Sequence, residues 1–266
     1  MVNITLISIA TDRYVDYWVN LARSSYNNFA SDKKYNWILL TNKEVNIPDD
    51  IVQYFGNRLR IFHIEHKPWP YVTLYRYKYI YDIREFINDE FIVYIDADMK
   101  FSANFDPIKV LDIGNGQDLA FVQHPGFYRP SFKILPFSFT KLATSIKDLW
   151  DKLFMGGLGS WERRKISAAY VPYTQRKNYY IGAIWFGSRT KILEMCDKLM
   201  QEISIDENKN VIAKWHDESH LNAYAVKNQH VSVDPSYCFV SSYKQLSNLK
   251  PIVEVVDKNL NSTWIR

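Results

Sequence analysis

The stretch Phe91-Ile92-Val93-Tyr94-Ile95-Asp96-Ala97-Asp98 decides the fold. Five consecutive apolar residues are typical of a strand that is buried on both faces, as in a parallel sheet. Alternate side chains of an extended segment point to the same side, so Asp96 and Asp98 would present two carboxylates together at the end of this strand. Such oxygen ligands could hold Mn²⁺ or Mg²⁺ when a diphosphate completes the coordination shell, although an isolated Asp-x-Asp is also compatible with a solvated turn.

Outward from this stretch, apolar runs alternate with segments of helical periodicity. On the amino-terminal side we predict strands at Ile4–Ala10, Trp37–Thr41 and Arg60–Ile64, and helices at Tyr14–Phe29 and Tyr71–Phe86. Further elements follow the Asp pair: strands at 119–123 and 179–186, a helix at 191–203, and a helix that opens at Asp217 and runs to Ala225. This order indicates an α/β fold whose mixed, mostly parallel central sheet binds ligands at its strand ends.

Composition sets the broad class of the protein. With 266 residues, 47% hydrophobic and 23% charged, the chain fits one globular domain over residues 1–266 with ample material for a core. Two cysteines, Cys196 and Cys238, are too few for a disulfide framework and fit a reducing compartment. No run approaches the roughly 18 apolar residues of a membrane span. We therefore expect a soluble, cytoplasmic protein, and we do not expect nucleic acid among its partners.

The middle of the chain is basic. Residues 129–191 contain 12 Lys and Arg against 3 Asp and Glu, while the whole chain has a net charge of only +4. This region includes an amphipathic segment at about 131–160, whose apolar residues share one helical face: Phe139, Leu142, Ile146, Leu149, Trp150, Leu153 and Phe154. One interpretation is peripheral contact with the inner face of a membrane, or a cap over the site. Packing into the core or a dimer interface is the alternative, and a solvated lysine-rich face would explain the charge.

A second acidic cluster, Trp215-His216-Asp217-Glu218-Ser219-His220, can supply acid-base or nucleophile chemistry. His216 and His220 are four residues apart, which on a helix places both on one face, as in a zinc site. The acid in second position is Asp217, however, so the pattern is not His-Glu-x-x-His. A zinc-dependent hydrolase is one alternative, and two histidines that only form hydrogen bonds are another. Near the chain end, Lys258 and Arg266 could neutralise a diphosphate.

Taken in order, these motifs resemble glycosyltransferase family 6, the retaining enzymes related to the histo-blood group A and B transferases and the α-1,3-galactosyltransferases. The resemblance spans most of the chain, and its most specific part is Trp-His-Asp-Glu-Ser-His-Leu-Asn at 215–222. The other matching positions are Tyr14-Val15, Trp69, Val72-Thr73, Arg76, Asp96-Ala97-Asp98-Met99, Phe101, His124-Pro125-Gly126-Phe127-Tyr128, Glu162-Arg163-Arg164, Ala169-Tyr170-Val171-Pro172 and Tyr179-Tyr180.

The resemblance implies a GT-A type, Rossmann-like nucleotide-binding fold and a UDP-sugar donor. It further implies transfer of galactose or N-acetylgalactosamine in α-1,3 linkage to a galactoside acceptor, with fucosylated and lipid-linked galactosides as candidates. The chain looks like a bacterial or phage-type soluble member, without the membrane anchor of the animal relatives. Bacterial relatives that dispense with metal have Asn in place of both acids, so Asp96 and Asp98 predict dependence on Mn²⁺, with Mg²⁺ as the alternative.

The resemblance also suggests roles on the donor side. Ile9, Thr11 and Tyr14 would line the uridine pocket. Arg76 would contact the donor and the metal-site carboxylates, and Asp217 would bind the donor sugar. The tripeptide Ile181, Gly182 and Ala183 would select the donor through steric room at its third position, where the alanine methyl favours galactose. The remaining donor-side positions implied by the resemblance are Lys258 and Arg266 at the diphosphate.

On the acceptor side, the resemblance implies that His124, Trp215 and Glu218 contact the galactose. Glu218 would lie near the β face of the anomeric carbon, either as a nucleophile in a double displacement or as an electrostatic stabiliser of an oxocarbenium-like ion. The sequence leaves both mechanisms open. It also leaves open the zinc-dependent hydrolase built on His216 and His220, and a sugar-binding protein without catalysis.

Overall fold

The computed structural model describes residues 3–30, 34–111, 116–129, 150 and 158–257. Two sheets organise this part of the chain. Seven strands form the central sheet in the order β3-β2-β1-β4-β7-β6-β8, and a small second sheet pairs β5 with β9. The strands are β1 Ile4–Ile9, β2 Tyr35–Thr41, β3 Leu59–His63, β4 Phe91–Ile95, β5 Met99–Phe101, β6 Leu119–Gln123, β7 Tyr180–Ser188, β8 Val231–Val233 and β9 Val253–Val255.

Helices cover both faces of the central sheet. They are α1 Tyr14–Asn28, α2 Asp49–Phe55, α3 Tyr71–Leu74, α4 Arg76–Asp82, α5 Pro107–Val110, α6 Arg189–Asn208 and α7 His216–Ala225. In the described part of the chain, none of them combines the length and the apolar composition that crossing a bilayer would need.

Strand direction in the central sheet confirms the predicted fold class. β1 pairs in parallel with β2 and β4, β2 with β3, and β6 with β8. The strand β7 runs antiparallel to both of its neighbours, β4 and β6. The result is the mixed, mostly parallel sheet of a GT-A type, Rossmann-like fold. Because β7 runs in the opposite direction, its first residues lie at the edge where β1 and β4 end.

Each face of the sheet has its own core, because successive side chains of a strand point to opposite sides. On one face, Trp18 of α1 packs edge-on against Trp37 of β2, with ring centroids 5.8 Å apart. On the other face, Tyr94 of β4 stacks on Trp185 of β7 at 4.7 Å, beneath α4 and α6. Both faces of β4 are therefore covered, as its uninterrupted apolar run predicts.

The single helix predicted at Tyr71–Phe86 is wrong. The segment forms α3, then α4, and then a 3-10 turn at Arg84–Phe86. The backbone leaves the α region at Tyr75, with φ −89° and ψ 8°. Tertiary contacts override helical propensity at this point: the Tyr75 hydroxyl donates a hydrogen bond to Glu207 of α6, and the next residue, Arg76, is buried with 4% of its surface exposed. The break places Arg76 at the strand-end edge of the sheet.

Most of the amphipathic segment predicted at 131–160 lies outside the described residues, which include only Trp150 and residues 158–160 of it. Lys258 and Arg266 also lie outside them. The predictions made for these positions remain predictions.

Candidate functional site

The site is built where β1 and β4 end, β7 begins and α7 begins. The backbone holds these elements together: the amide of Asp96, directly after β4, donates to the carbonyl of Ala183 in β7 over 2.8 Å. The side chain of Asn222 in α7 forms hydrogen bonds with the backbone of β7, as a neighbouring strand would. Its side-chain oxygen accepts from the amide of Tyr180, and its nitrogen donates to the carbonyls of Tyr180 and Glu218, each at 2.8 Å. The first turn of α7 is thereby fixed against the start of β7.

Arg76 links the two acidic clusters. Its Nη1 donates to the carbonyl of Gly182 at 2.6 Å and lies 3.4 Å from Oδ1 of Asp96. Its Nε lies 3.1 Å from Oδ2 of Asp217. The guanidinium carbon sits 4.9 Å from the centre of the Tyr94 ring, within cation–π distance. Burial alone would lower the pKa of Arg76, but the carboxylates of Asp217 and Asp96 outweigh it and keep the pKa raised.

Asp96 and Asp98 lie together in a cleft beyond the end of β4. The hydroxyl of Tyr94 donates to Oδ1 of Asp96 at 2.6 Å, so one oxygen of this carboxylate is already engaged. Burial raises the pKa of Asp96 to about 6, and the neighbouring charge of Asp98 adds to the rise although Arg76 opposes it. A bound cation would stabilise the charged form of a carboxylate that burial and a neighbouring negative charge disfavour.

Asp217 and Glu218 lie in the first turn of α7, where the helix dipole favours negative charge. Asp217 is buried, and burial raises its pKa against the opposing effect of Arg76. Glu218 accepts a hydrogen bond from the amide of Gly182 at 3.0 Å. Burial raises the pKa of Glu218 to about 7, although the Gly182 amide opposes the shift. Glu218 is thus held in place by the backbone of β7 while its charge is poorly compensated.

Gly182 is required by close packing and not by backbone strain. A Cβ atom added at this position would lie 2.9 Å from Oδ2 of Asp217 and 3.7 Å from Nη1 of Arg76. Any larger residue would therefore push apart the pair of charges that Gly182 lies against. The flanking side chains, Ile181 and Ala183, are only partly buried and line the adjacent cleft.

Two clefts meet at Arg76. We call the first the β1 compartment: it has a volume of about 470 Å³ and is lined by Ile9, Thr11 and Tyr14, together with Asp96 and Asp98. The predicted donor-side residues Ile9, Thr11 and Tyr14, which are distant in sequence from the Asp pair, are thus brought beside it. Four residues line both clefts and form the passage between them: Trp69, Thr73, Arg76 and Asp96.

We call the second cleft, of about 440 Å³, the α7 compartment. Glu218, His124 and Trp215 all line it, so the three residues predicted on the acceptor side lie together. Trp215 is 48% exposed, and its indole nitrogen donates a hydrogen bond to the hydroxyl of Ser160. Burial lowers the pKa of His124 to about 4, so its ring is neutral at pH 7. Aromatic rings beside neutral hydrogen-bonding groups suit the faces and hydroxyls of a sugar.

The two histidines of the second cluster do not share a site. His216 lines the α7 compartment, where its ring packs edge-on against Trp69 at 4.9 Å. His220 is buried, and its Nε2 lies 3.5 Å from Oδ2 of Asp206 in α6. Among the residues that the structure describes, no group of three or more His, Cys, Asp or Glu side chains could hold a metal ion. Within the described chain, the zinc-hydrolase alternative therefore has neither a shared histidine pair nor a set of three protein ligands.

We expect His220 to make stability depend on pH. Burial lowers its pKa to about 4, so between pH 6.5 and 4 the unfolded chain binds a proton that the folded chain does not, and stability falls as the pH falls. The raised pKa values of Glu218 and Asp96 make stability change with pH in the opposite direction. The quantity to measure is therefore the difference between wild type and His220→Gln in the free energy of unfolding by urea. The advantage of wild type should shrink by about 1.4 kcal/mol per pH unit below pH 6.5.

The control for this measurement is His63→Gln, at an exposed position on β3, for which the difference should stay constant. A constant difference for His220→Gln between pH 7 and pH 5 would show that His220 is not a buried, neutral side chain.

Some contacts in the site were not predicted. Tyr94 hydrogen-bonds to Asp96, and the alternation of a strand could have indicated it, since positions 94 and 96 share a side. The pairing of Ser160 with Trp215 joins residues that are 55 positions apart, and no local pattern signals it.

Comparison with known proteins finds similarity to glycosyltransferases. The family model of glycosyltransferase family 6 matches residues 141–266. The rat histo-blood group ABO system transferase 2 is 27% identical over 239 residues, which are 88% of this chain and 62% of the relative. The O-antigen biosynthesis glycosyltransferase WbnI of Escherichia coli is 25% identical over 218 residues, 79% of each protein. The chicken globoside alpha-1,3-N-acetylgalactosaminyltransferase 1 is 25% identical over 225 residues, 83% of this chain and 57% of the relative.

The chain thus spans about 60% of the length of the rat and chicken relatives. The family match falls on the part of the chain that contains β7 and α7, and the relatives align across most of the rest. From these matches and from the fold, the chain is similar to glycosyltransferase family 6.

Proposed function

We propose that this protein transfers galactose from UDP-galactose, or N-acetylgalactosamine from the corresponding donor, in α-1,3 linkage to a galactoside acceptor with retention of configuration. The observation that carries the proposal is the junction of the two clefts. Arg76 contacts Asp96 of the β1 compartment and Asp217 of the α7 compartment, and Glu218 follows directly in sequence. A UDP-sugar would span this junction, with the nucleotide on one side and the sugar on the other.

The β1 compartment would bind the nucleotide. Tyr14 and the end of β1 at Ile9 offer an apolar surface and a ring for the uracil base, and Thr11 offers a hydroxyl. Ligand binding beyond the carboxyl ends of parallel strands is the usual arrangement in this class of fold. Lys258 remains a proposed contact of the diphosphate: Val256, two positions earlier in the chain, donates its amide to the carbonyl of Asp98 at 2.9 Å.

The residues fit a divalent cation at Asp96 and Asp98. Both side chains line the same compartment and are hard oxygen ligands, and burial together with the neighbouring charge of Asp98 raises the pKa of Asp96 although Arg76 opposes the shift. When bound, Mn²⁺ or Mg²⁺ would supply Lewis-acid stabilisation of the diphosphate leaving group. Two protein carboxylates leave room for diphosphate oxygens to complete the coordination shell.

Glu218 would act on the donor sugar. Its pKa of about 7 shows that burial penalises the carboxylate, so positive charge developing nearby on the sugar ring would be stabilised strongly. The Gly182 amide fixes the orientation of this carboxylate before substrate binds. Asp217 would bind a hydroxyl of the donor sugar while Arg76 holds it in place. This arrangement suits either a glycosyl-enzyme intermediate on Glu218 or an ion-pair mechanism on one face.

The donor sugar should be selected beside Ile181, Gly182 and Ala183, all of which line the α7 compartment. The methyl group of Ala183 reduces the room for an acetamido group, which favours galactose. One methyl group discriminates by about 1–3 kcal/mol at most. We therefore propose galactose as the preferred donor and N-acetylgalactosamine as a slower one.

The acceptor galactoside would lie against Trp215 and His124, with Glu218 between acceptor and donor. Fucosylated and lipid-linked galactosides both remain acceptor candidates. For a lipid-linked acceptor, we further propose that residues 131–160 contact the inner face of a membrane. The proposed location of the protein is then the cytoplasm.

The proposal is tested by UDP release from UDP-galactose and UDP-N-acetylgalactosamine, with a panel of plain and fucosylated galactosides, in Mn²⁺ or EDTA. We expect acceptor-dependent UDP release that is faster with UDP-galactose, is abolished by EDTA, and yields an α-linked product by NMR. UDP-glucose, which differs only at C4, is the control donor and should be slower. No acceptor-dependent release from either galactose-type donor, or a β-linked product, would overturn the proposal.

A further inference from the structure

Phe127 lines the α7 compartment and also a separate cleft of about 460 Å³. We call this cleft the basic compartment, because Arg129, Arg176 and Lys177 line it. The rings of Tyr173 and Tyr179 also line it. No Asp or Glu side chain is among the described residues of its wall. The charge bias that the sequence shows over residues 129–191 is therefore concentrated, in part, in a single cleft.

The backbone holds one of the cations of this cleft in place. Nε and Nη2 of Arg176 both donate to the carbonyl of Val171, at 3.0 and 2.9 Å, so the guanidinium is held by the backbone. Burial lowers the pKa of Arg176, and the nearby cation Arg163 lowers it further. The basic compartment itself groups Arg129, Arg176 and Lys177, and cations grouped in one cleft favour the binding of an anion.

The basic compartment shares Phe127 with the proposed acceptor site. The Phe127 ring lies 4.8 Å from His124, which lines the α7 compartment, and 5.2 Å from Tyr179. Tyr179 in turn lies close to Glu218, which is among the groups that raise the pKa of Tyr179 after burial itself. A glycan bound at His124 and Trp215 would therefore have its next residue near Phe127.

We propose that the basic compartment binds a negatively charged group on the acceptor, a carboxylate or a phosphate next to the accepting galactose. This inference rests on the proposed function and narrows its acceptor class to acidic glycans or glycan phosphates. Guanidinium groups recognise carboxylate and phosphate oxygens through paired hydrogen bonds, and tyrosine rings contact the apolar faces of a sugar. The anionic oxygens could come from a uronic acid residue or from the phosphate of a lipid-linked glycan, and both chemistries fit the same cations.

The test compares three acceptors that carry the same terminal galactose: one linked to a neutral sugar, one to a uronic acid and one to a phosphodiester. The quantity measured is the ratio of kcat/KM for each anionic acceptor to kcat/KM for the neutral acceptor. We expect wild type to prefer at least one anionic acceptor by about tenfold, which is what roughly 1.4 kcal/mol of added binding provides. The arm that shows the preference identifies the source of the charge, and 0.5 M salt should reduce the ratio.

In Arg129→Gln/Lys177→Gln the ratio should fall to within about twofold of unity, whatever the absolute rates. The control is Lys34→Gln/Lys250→Gln, which removes two charges from exposed positions outside these compartments and should keep the wild-type ratio. Wild-type turnover of the neutral galactoside with a ratio near one would overturn this inference and leave the proposed function standing. A preference that survives in Arg129→Gln/Lys177→Gln would overturn it too. No turnover of any galactoside would sink the proposed function and this inference with it.

Discussion

Glu218→Gln should lower kcat by about 1,000-fold or more, with little change in the affinity for UDP. The substitution keeps the size of the side chain and an oxygen that can accept the Gly182 amide, so the start of α7 should stay in place. It removes the negative charge that would stabilise the sugar in the transition state. UDP affinity should be unaffected because Glu218 does not line the β1 compartment. The measurements are single-turnover kinetics and calorimetric binding of UDP with Mn²⁺.

Glu194→Gln is the matched control, since it makes the same change at an exposed position on α6. It should retain kcat within about twofold. If Glu218→Gln kept more than a tenth of the wild-type kcat, Glu218 would have no catalytic role. If it lost UDP affinity to the same extent as turnover, Glu218 would serve the binding of nucleotide and not the chemistry.

Asp98→Asn should abolish turnover through loss of the metal ion. An amide is a weaker ligand than a carboxylate for Mn²⁺, and changing even a residue that only supports a ligand typically costs about 10–100-fold in metal affinity. We therefore expect at least a 100-fold weaker apparent affinity for Mn²⁺ in the presence of UDP. The rise in melting temperature that Mn²⁺ with UDP produces in wild type should disappear. High Mn²⁺ concentration should restore part of the rate, which separates metal loss from misfolding.

The control is Asp82→Asn, on the exposed surface of α4, which should respond to Mn²⁺ and UDP as wild type does. Full turnover of Asp98→Asn, or wild-type turnover in EDTA, would show that the Asp pair does not hold a required metal ion.

The sequence predicts much of the fold because its strands are long, apolar runs. β4 has the predicted bounds Phe91–Ile95, and β1 and β7 begin and end within two residues of prediction. The strands β8 and β9 were not predicted, since three residues are too few for a periodic pattern. The helix α2 was missed for the same reason: over seven residues it buries only Ile51 and Phe55.

The sequence predicts the individual residues of the site better than it predicts the contacts between them. The Asp96–Asp98 pair is visible from strand alternation alone. Its approach to Glu218, more than 100 positions away, was expected only from the family resemblance. The roles of Asn222 and Ser160 depend on contacts that the fold creates, because each bonds to an element far away in sequence. The antiparallel direction of β7 creates such contacts, because it brings Gly182 to the edge where β1 and β4 end.

In the basic compartment, the fold brings part of the Lys and Arg excess of the sequence together in one cleft. From the sequence, an excess of Lys and Arg over 129–191 is compatible with a membrane, an anionic ligand or solvent. In the fold, Arg129 and Lys177, which lie on different segments, line one cleft beside Phe127. Phe127 packs against His124, so this cleft lies next to the proposed acceptor site.

Anomalous scattering from manganese in crystals grown with UDP and Mn²⁺ would test the arrangement of the two clefts most directly. We expect one strong peak within bonding distance of a carboxylate oxygen of both Asp96 and Asp98 and of the diphosphate. The uracil should lie in the β1 compartment, and Glu218 should face the space beyond the diphosphate. Nucleotide bound elsewhere, or a peak away from this Asp pair, would contradict the proposed donor site and the mechanism built on it.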